Sequence, residues 1–356
     1  MRVAKEVTIA QLDGYDDIID VRSPAEYAED HIPGAISAPV LDDEERARVG
    51  TLYVQVSPFE AKRLGAALIS RNIAHHLETL FKDRPKTWKP AVYCWRGGQR
   101  SGAMAHILAQ IGWHTGRLTG GYKTYRRHVM DELQRLPALF TYRVVCGTTG
   151  SGKSRLLRVL HEQGAQVLDL EQLARHRGSL LGNLPDEPQP AQKMFDSLVW
   201  DALRRFDPLR PVFVEAESKK IGRLAVPDAL LERMRGAECV LLDAPLPARV
   251  QLLMEDYAHF LRDRELLAER LAPLAELHGH QVIFEWKALA EQGRWEALVQ
   301  DLLTRHYDPA YRRSTSANFL RLKDAVVLRP EALDDASLGK AAAVLQETGN
   351  PQSGMR

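Results

Sequence analysis

Cysteine is scarce in this sequence. Only Cys94, Cys146 and Cys239 occur in 356 residues, and so small and odd a set cannot form the disulfide framework of a secreted domain. We therefore expect a reducing, cytoplasmic environment. Long apolar runs are also missing. No uncharged stretch approaches the roughly 18 residues that a membrane-spanning helix needs, and the first residues carry charges where a signal peptide is apolar. We expect neither secretion nor membrane insertion.

Charge of one sign is not in excess either. The 48 basic and 47 acidic residues leave a net charge of +1, so any contact with nucleic acid must come from a local basic patch. Hydrophobic residues make up 45% and charged residues 27%, which excludes wholesale disorder, collagen and coiled coil. We find no internal repeat. At roughly 100–200 residues per domain, the length predicts two or three domains.

Short apolar runs alternate with amphipathic stretches, a pattern typical of α/β domains. We expect a first domain over 1–137, because a long helix stops there at a proline, and the core of a second domain over 138–246. The pattern over 247–356 predicts a helical C-terminal extension. The last twenty or so residues, ending in Asn350–Gly354, predict a frayed tail.

One cysteine lies in a setting suited to chemistry. Cys94 follows a predicted buried strand and precedes two glycines, two arginines and a helix. Such a turn directs backbone N–H groups and a helix N-terminus at the sulfur, which favours a thiolate and an anion beside it. The alternative is a small buried apolar residue, which we expect for Cys146 and Cys239. The candidate catalytic residues are Cys94, Arg96 and Arg100, and the candidate supports of their loop are Gly97, Gly98, Asp20 and Arg22.

The first domain resembles rhodaneses. Asp20–Tyr27 followed by His31–Ala35 is similar to the opening signature of that family, and Cys94 lies where the family carries its persulfide-forming cysteine. The resemblance implies a rhodanese-like α/β fold. Rhodaneses usually have four residues between the cysteine and the closing arginine, whereas five separate Cys94 from Arg100. A Cys-x5-Arg loop followed by serine also holds phosphate in dual-specificity cysteine phosphatases, and the spacing alone leaves both readings open.

A second motif fits G-x-x-x-x-G-K-[ST] between a predicted strand and a predicted helix, which indicates a P-loop NTPase-like α/β domain. Its backbone N–H groups bind phosphate oxygens, Lys153 pairs with a terminal phosphate and Ser154 is a candidate ligand for Mg²⁺. The next strand, Pro211–Glu217, ends in glutamates where NTPases usually place aspartate. We name Asp243 as a substitute and expect a diphosphate other than a hydrolysed nucleotide. The candidate phosphate-binding residues are Gly147, Thr148, Thr149, Gly150, Ser151, Gly152, Lys153 and Ser154.

The order of these two domains resembles the tRNA 2-selenouridine synthase family. Three further segments add to the likeness: Leu52–Lys62, Gly120–Lys123 and Val214–Gly222. The resemblance implies that the wobble 2-thiouridine of tRNA is first S-geranylated by geranyl diphosphate. Selenium from selenophosphate then replaces the sulfur.

The resemblance also implies roles for the two motifs. Cys94 would accept selenium as a selanyl-cysteine, with Arg96 and Arg100 holding selenophosphate, and the P-loop would hold geranyl diphosphate. The implied partners are tRNA with wobble 2-thiouridine and an enzyme that supplies selenophosphate. We expect a monomer with no membrane contact and no metal site built from cysteine or histidine.

Local basic residues are candidates for RNA contact. On the helix after the cysteine domain they alternate with Tyr122 and Tyr125, a composition suited to phosphate pairing and base stacking. The alternative for each is a solvated helix face. The candidates are Lys123, Arg126, Arg127, Lys219 and Lys220.

Two other functions stay open at this point. The Cys-x5-Arg-Ser loop also fits a cysteine phosphatase or sulfurtransferase coupled to a nucleotide-binding domain. A non-catalytic RNA-binding adaptor, in which both loops only bind anions, is the third.

Overall fold

The computed structural model describes residues 3–347 of the chain, which form two compact units. Unit 1 comprises the residues up to Glu132 together with Ala191–Asp201, and unit 2 comprises Leu133–Pro190 and the residues from Ala202 onward. Each unit contains a parallel sheet with helices, so the expected α/β class is confirmed. The expected boundaries after residues 137 and 246 stay predictions.

Unit 1 contains a five-stranded parallel sheet with the order β1-β5-β4-β2-β3. Its strands are β1 (Lys5–Val7), β2 (Asp17–Asp20), β3 (Ile36–Ser37), β4 (Pro90–Tyr93) and β5 (Gly116–Leu118). Its helices are α1 (Pro24–Glu29), α2 (Asp43–Gln55), α3 (Pro58–Glu78), α4 (Gln99–Ile111) and α5 (Gly121–Arg135).

The central strand of this sheet carries the cysteine loop. All four side chains of β4 are buried, and the strand lies between β2 and β5. Its carboxyl end leads through Cys94 to the start of α4. In open α/β sheets, ligands bind at the carboxyl ends of the strands, so this loop lies where a site is expected.

Unit 2 contains a second five-stranded parallel sheet, with the order β12-β11-β6-β8-β7, and a separate hairpin of β9 and β10. Its strands are β6 (Tyr142–Cys146), β7 (Gln166–Leu168), β8 (Val212–Glu215), β9 (Lys220–Ile221), β10 (Leu224–Ala225), β11 (Glu238–Leu242) and β12 (Val326–Leu328). The helices around this sheet are α6 (Lys153–Glu162), α7 (Leu170–Ala174), α8 (Gln192–Leu203), which begins in unit 1, and α9 (Asp228–Arg235).

After β11, unit 2 is mainly helical, but the chain after Pro247 also contributes β12, which pairs with β11 at the edge of the sheet and corrects the expectation of an all-helical extension. Several helices of this region pack around an apolar cluster in which Trp286 is fully buried. None of the helices within residues 3–347 has the length and apolar character needed to cross a bilayer. The helices are α10 (Leu246–Asp256), α11 (Ala258–Arg262), α12 (Arg264–Leu271), α13 (Ala275–His278), α14 (His280–Glu291), α15 (Trp295–Leu302), α16 (Asp308–Asn318) and α17 (Asp335–Glu347).

Helix α17 corrects the prediction of a frayed C-terminal tail. Leu338, Ala342 and Leu345 are each no more than 1% exposed and belong to the apolar cluster beside the sheet of unit 2. Their i, i+4 and i+7 spacing places them on one helix face, so burial of that face holds the helix. Asn350–Gly354 lie outside the described residues.

Candidate functional site

The sulfur of Cys94 lies among hydrogen-bond donors. The backbone N–H of Gly98 donates to Cys94 Sγ over 3.3 Å, and the hydroxyl of Ser101 lies 3.1 Å from the same sulfur. Helix α4 begins immediately after this turn, which directs its positive end at the sulfur. Cys94 is only 3% exposed, so these groups meet the sulfur in a nearly water-free position. The setting suits a sulfur that carries negative charge.

Glycine is required at two points around this loop. Gly97 has a φ of +65°, and a Cβ atom there would lie 2.8 Å from the carbonyl oxygen of Leu118. A Cβ atom on Gly121 would lie 2.2 Å from the carbonyl oxygen of Cys94. No such contact surrounds Gly98. Gly97 therefore lets the loop pack closely on the start of α5, whereas Gly98 serves through its N–H group.

A buried ion pair braces the same end of the sheet. Arg22 donates to Asp20 over 2.6 Å, and neither side chain is more than 1% exposed. The hydroxyl of Tyr93 donates to Asp20 over 2.7 Å, and the Arg22 guanidinium lies 4.0 Å from the ring centroid of Tyr122. These contacts join the ends of β2 and β4 to α5. Asp20 and Arg22 thus hold the frame around the cysteine loop.

The two arginines of the loop differ in their surroundings. Arg100 donates to Glu26 over 2.7 Å, and Arg46 lies 3.0 Å from the same carboxylate. Burial alone would raise the pKa of Glu26, but the hydrogen bond and the charge of Arg100 hold that pKa below its usual value. Arg96 is exposed. Arg96 can therefore pair directly with an anion at this loop. Arg100 can pair with that anion only after its ion pair with Glu26 breaks.

The P-loop of unit 2 follows β6, the central strand of its sheet. Gly150 and Gly152 have φ values of +77° and +89°, a conformation that favours glycine. Lys153 Nζ donates to the carbonyl oxygen of Gly147 over 2.8 Å, and the N–H of Gly147 donates to the hydroxyl of Tyr311 over 2.6 Å. The loop leads into α6, whose first N–H groups have no intrahelical acceptor. It has the form of a phosphate-binding nest.

Within the described part of the chain, the hydroxyl of Ser151 in this loop is buried and has no hydrogen-bond partner. A buried hydroxyl without a partner is costly, so it favours a ligand that supplies an acceptor. The backbone of the loop is held from outside by Arg249, which donates to the carbonyl oxygen of Thr149 over 2.9 Å and pairs with Asp308.

Carboxylates line the side of the P-loop that faces β8 and β7. Glu171 accepts a hydrogen bond from the Ser154 hydroxyl over 2.9 Å, and its N–H donates to Glu215 over 2.7 Å. The other carboxylate oxygen of Glu215 is buried, with no partner among the described residues. The group follows two neighbouring strand ends and consists of Asp169, Glu171, Glu215 and Glu217.

Crowding and burial favour the protonated form of these carboxyl groups. Burial raises the pKa of Asp169 and of Glu171, although the charge of Lys153 opposes the rise at Glu171. Burial, together with the neighbouring carboxylates, raises the pKa of Glu215 well above its usual value. Burial and the charge of Glu171 raise the pKa of Glu217 to about 8. A cation placed among them would lower these values again.

The sequence indicated the glutamates after β8 but missed Asp169 and Glu171. They follow β7, which lies beside β8, and acidic residues at the end of a short apolar run were the available signal. Asp243, named as a substitute metal-side residue, is half exposed and pairs with Arg329 over 3.0 Å. It does not line the cleft at the P-loop, so that prediction is wrong.

The P-loop and the carboxylates face one cleft of about 880 Å³. Lys153, Ser154, Glu171 and Glu217 line it on one side, and residues of the helical region, including Tyr257, line the other. Its volume is that of a typical small-molecule site. The cleft therefore has room for a ligand that is larger than a phosphate group.

The structure changes the prediction for the first basic helix. Tyr122 and Tyr125 are only 3% and 0% exposed, so their expected role in base stacking is wrong. They lie on the core face of α5. Arg126 pairs with Asp196 and donates to the carbonyl oxygen of Lys193.

The other basic candidates are exposed. Lys123 and Arg127 lie on the solvent face of α5. Lys219 and Lys220 are exposed beside the hairpin of unit 2, where Lys219 lies 3.2 Å from Asp228. An ion pair so exposed is weak and leaves Lys219 able to exchange partners.

Family models match both units. A rhodanese-like domain model matches residues 5–128, and the model of the tRNA 2-selenouridine synthase AAA domain matches residues 140–272. These matches confirm the expected order of a rhodanese-like domain followed by a P-loop domain.

Similar proteins agree with the family models. The tRNA 2-selenouridine synthase of Aeromonas salmonicida is 35% identical over 323 residues, covering 83% of this chain and 86% of that protein. That of Sulfurovum sp. is 32% identical over 334 residues, covering 86% and 90%. The match to the Nitrosomonas europaea protein, at 36% identity, covers 67% of this chain and 63% of that protein. The chain therefore belongs to the tRNA 2-selenouridine synthase family.

Proposed function

We propose that this chain converts the wobble 2-thiouridine of tRNA to 2-selenouridine in two steps, one at each anion-binding loop. The observation that carries the proposal is the sulfur of Cys94, held by Gly98 and Ser101 at the carboxyl end of a central strand. Relatives that match this chain over most of their length are named for this activity. A phosphatase reading of the Cys-x5-Arg loop has no comparable support.

The first step is S-geranylation beside the P-loop. The 2-thio sulfur attacks C1 of geranyl diphosphate, the C1–O bond breaks and pyrophosphate leaves with the electron pair of that bond. The base gives up its N3 proton to water or to the pyrophosphate. Lys153 and the N–H groups of the loop stabilise the charge that develops on the leaving group. The unpartnered hydroxyl of Ser151 and the width of the cleft support a diphosphate ester as the ligand.

The second step uses selenium without a change of oxidation state, because selenium is equally reduced in selenophosphate and in 2-selenouridine. A selanyl group on Cys94 contains an S–Se bond, and forming that bond from a thiol and selenophosphate with release of phosphate is an oxidation. It would need an oxidant. We therefore favour attack of the Cys94 thiolate on phosphorus. The P–Se bond breaks, and the products are S-phosphocysteine and hydrogen selenide.

The released selenide then attacks C2 of the S-geranylated base. The C2–S bond breaks, and geranyl thiolate leaves with the electron pair of that bond. The sulfur can leave because the first step alkylates it. Water hydrolyses the phosphocysteine to phosphate and restores the thiol. The exposed guanidinium of Arg96 and the N–H of Gly98 would hold the phosphoryl oxygens, as in other loops that bind oxyanions.

Magnesium fits the residues beside the P-loop. Hydroxyl and carboxylate oxygens are its preferred protein ligands, and it usually binds through one or two carboxylates, phosphates and water. Ser154, Glu171 and Glu217 would hold it, and the unpartnered oxygen of Glu215 lies behind them. When bound, the ion would neutralise charge on the diphosphate. Within residues 3–347, no group of three histidine, cysteine or acidic side chains is arranged as a metal site by itself.

Contact with tRNA would come from exposed cations. The exposure of these side chains supports the proposal, in which they would pair with phosphates; they are Lys123 and Arg127 in unit 1 and Lys219 and Lys220 in unit 2. With a net charge of +1, the chain offers no general positive field, so these local contacts must carry the electrostatic part of binding.

The Cys94→Ser variant should lose selenium incorporation and keep S-geranylation at the wild-type rate, because a serine hydroxyl is a far weaker nucleophile than a thiolate. Mass spectrometry of nucleosides from 2-thiouridine tRNA treated with both co-substrates measures the two products. Cys239→Ala removes a cysteine of β11 in unit 2, outside the cysteine loop, and as the control it should keep selenium incorporation. Equal loss of both products in Cys94→Ser would contradict the division of steps.

The Lys153→Ala variant should lower kcat/KM for geranyl diphosphate by about 100-fold or more, because it removes a cation from the leaving group. Steady-state formation of S-geranyl-2-thiouridine measures this. Lys340→Ala, which removes an exposed lysine of α17, serves as the matched control. An unchanged kcat/KM in the Lys153→Ala enzyme would show that Lys153 of the P-loop does not act in the prenyl step.

The raised pKa of Glu217 predicts a pH-dependent stability. Between pH 4.5 and about 8 the folded protein holds a proton on Glu217 that the unfolded chain has released. The free energy of unfolding should therefore fall as pH rises through this window. Glu217→Gln should make that fall less steep, as measured by urea denaturation at several pH values. An equally steep fall in the variant would show that Glu217 is ionised in the folded protein.

A further inference from the structure

A second, smaller cavity lies in unit 2 and is almost entirely apolar. Thirteen of its fifteen lining residues are aliphatic, methionine or aromatic, and no charged side chain reaches it. Among its walls, Phe260, Leu267 and Leu298 are each no more than 5% exposed and belong to the helical cluster. An apolar surface of this kind gains free energy when it is covered by hydrocarbon rather than by water.

This cavity shares a wall with the phosphate-binding cleft. Thr149 of the P-loop, Leu253, Tyr257 and Tyr307 line both spaces. The shared wall is tight, because a Cβ atom on Gly150 would lie 2.9 Å from side-chain carbons of Leu253. The nest for an anion and the apolar cavity are therefore immediate neighbours.

The two neighbouring spaces favour a ligand that has an anionic end and an apolar end. A diphosphate at the P-loop needs N–H groups and cations, whereas the surface of the second cavity is almost all apolar. Its polar side-chain groups are the hydroxyls of Thr149, Ser179 and two tyrosines and the indole N–H of Trp295, too few to pair with all the ring nitrogens and exocyclic groups of a nucleobase. A hydrocarbon chain has no polar group to satisfy and gains from burial.

We infer that the cavity bounded by Leu253, Phe260, Leu267, Leu298 and Leu302 holds the end of the hydrocarbon chain of the diphosphate bound at the P-loop. This inference rests on the proposed function, because it gives the tail of the same ligand a position. Leu253 and Tyr257, which line both spaces, would lie between the head group and the tail.

The size of the cavity makes it a gauge of chain length. Its volume of about 60 Å³ is small beside the 880 Å³ of the cleft, so it takes only the end of a chain whose first part lies along the shared wall. We expect a chain that is one isoprene unit shorter to fill less of the cavity. We expect a chain that is one unit longer to need more apolar space than the cavity offers, and overpacking an apolar site is unfavourable.

The test is calorimetric titration of the full chain with inorganic pyrophosphate and with dimethylallyl, geranyl and farnesyl diphosphates. Leu298→Trp fills the cavity and should weaken geranyl diphosphate by about 10-fold or more while leaving pyrophosphate unchanged. Phe260→Leu enlarges the cavity and should shift preference from geranyl toward farnesyl diphosphate. Leu277→Trp, on a leucine of the same helical region that is 63% exposed, is the matched control and should change neither.

The outcomes separate the two proposals. Wild-type protein that binds geranyl diphosphate more tightly than pyrophosphate, with no change in Leu298→Trp or Phe260→Leu, overturns the cavity assignment and leaves the proposed function in place. Wild-type protein that binds geranyl diphosphate no better than pyrophosphate overturns both. Thermal unfolding reports whether Leu298→Trp is folded, and if it is not, the chain-length preference of Phe260→Leu decides.

One more arm uses ADP. Tighter binding of ADP than of geranyl diphosphate by the wild-type protein, with weaker ADP binding in Leu298→Trp, would show that the cavity belongs to a nucleotide site and would overturn the inference.

Discussion

An anion that leaves water must be met by hydrogen-bond donors that are already in place, and this constraint shapes both units. Each unit places a loop between the carboxyl end of a central parallel strand and the N-terminus of a helix. In unit 1 the loop surrounds the sulfur of Cys94, and in unit 2 it forms the P-loop around Ser151. In the proposed mechanism, the same geometry serves a reactive thiolate in one sheet and a departing pyrophosphate in the other.

Buried negative charge also explains what surrounds these loops. Around Cys94 the frame is neutralised internally, because Arg22 meets Asp20 and Arg100 meets Glu26. Around the P-loop the carboxylates exceed the cations, and burial together with the charge of Glu171 raises the pKa of Glu217 to about 8. In the proposed mechanism, Arg96 and Arg100 would turn to an incoming anion at the first site, and the carboxylates of the second site would hold a cation that accompanies its ligand.

Most of the correct predictions rest on local sequence patterns. The P-loop and the cysteine turn are continuous motifs beside apolar strands, so their elements could be placed from the sequence. Tyr122 and Tyr125 were misjudged, although with Val129 and Leu133 they follow helical spacing and are buried together. The three-residue strand β1 and the packing of Ala191–Asp201 with unit 1, through a hydrogen bond from Ser197 to Asp30, depend on distant partners that no local pattern reports.

The central claim is that the two loops perform separate and successive steps. The most direct test supplies the intermediate itself: RNA that already contains S-geranyl-2-thiouridine is incubated with selenophosphate and with the Lys153→Ala or the Cys94→Ser protein. Our account predicts that Lys153→Ala forms 2-selenouridine at the wild-type rate, whereas Cys94→Ser forms none. Failure of Lys153→Ala on this RNA, or success of Cys94→Ser, would contradict it.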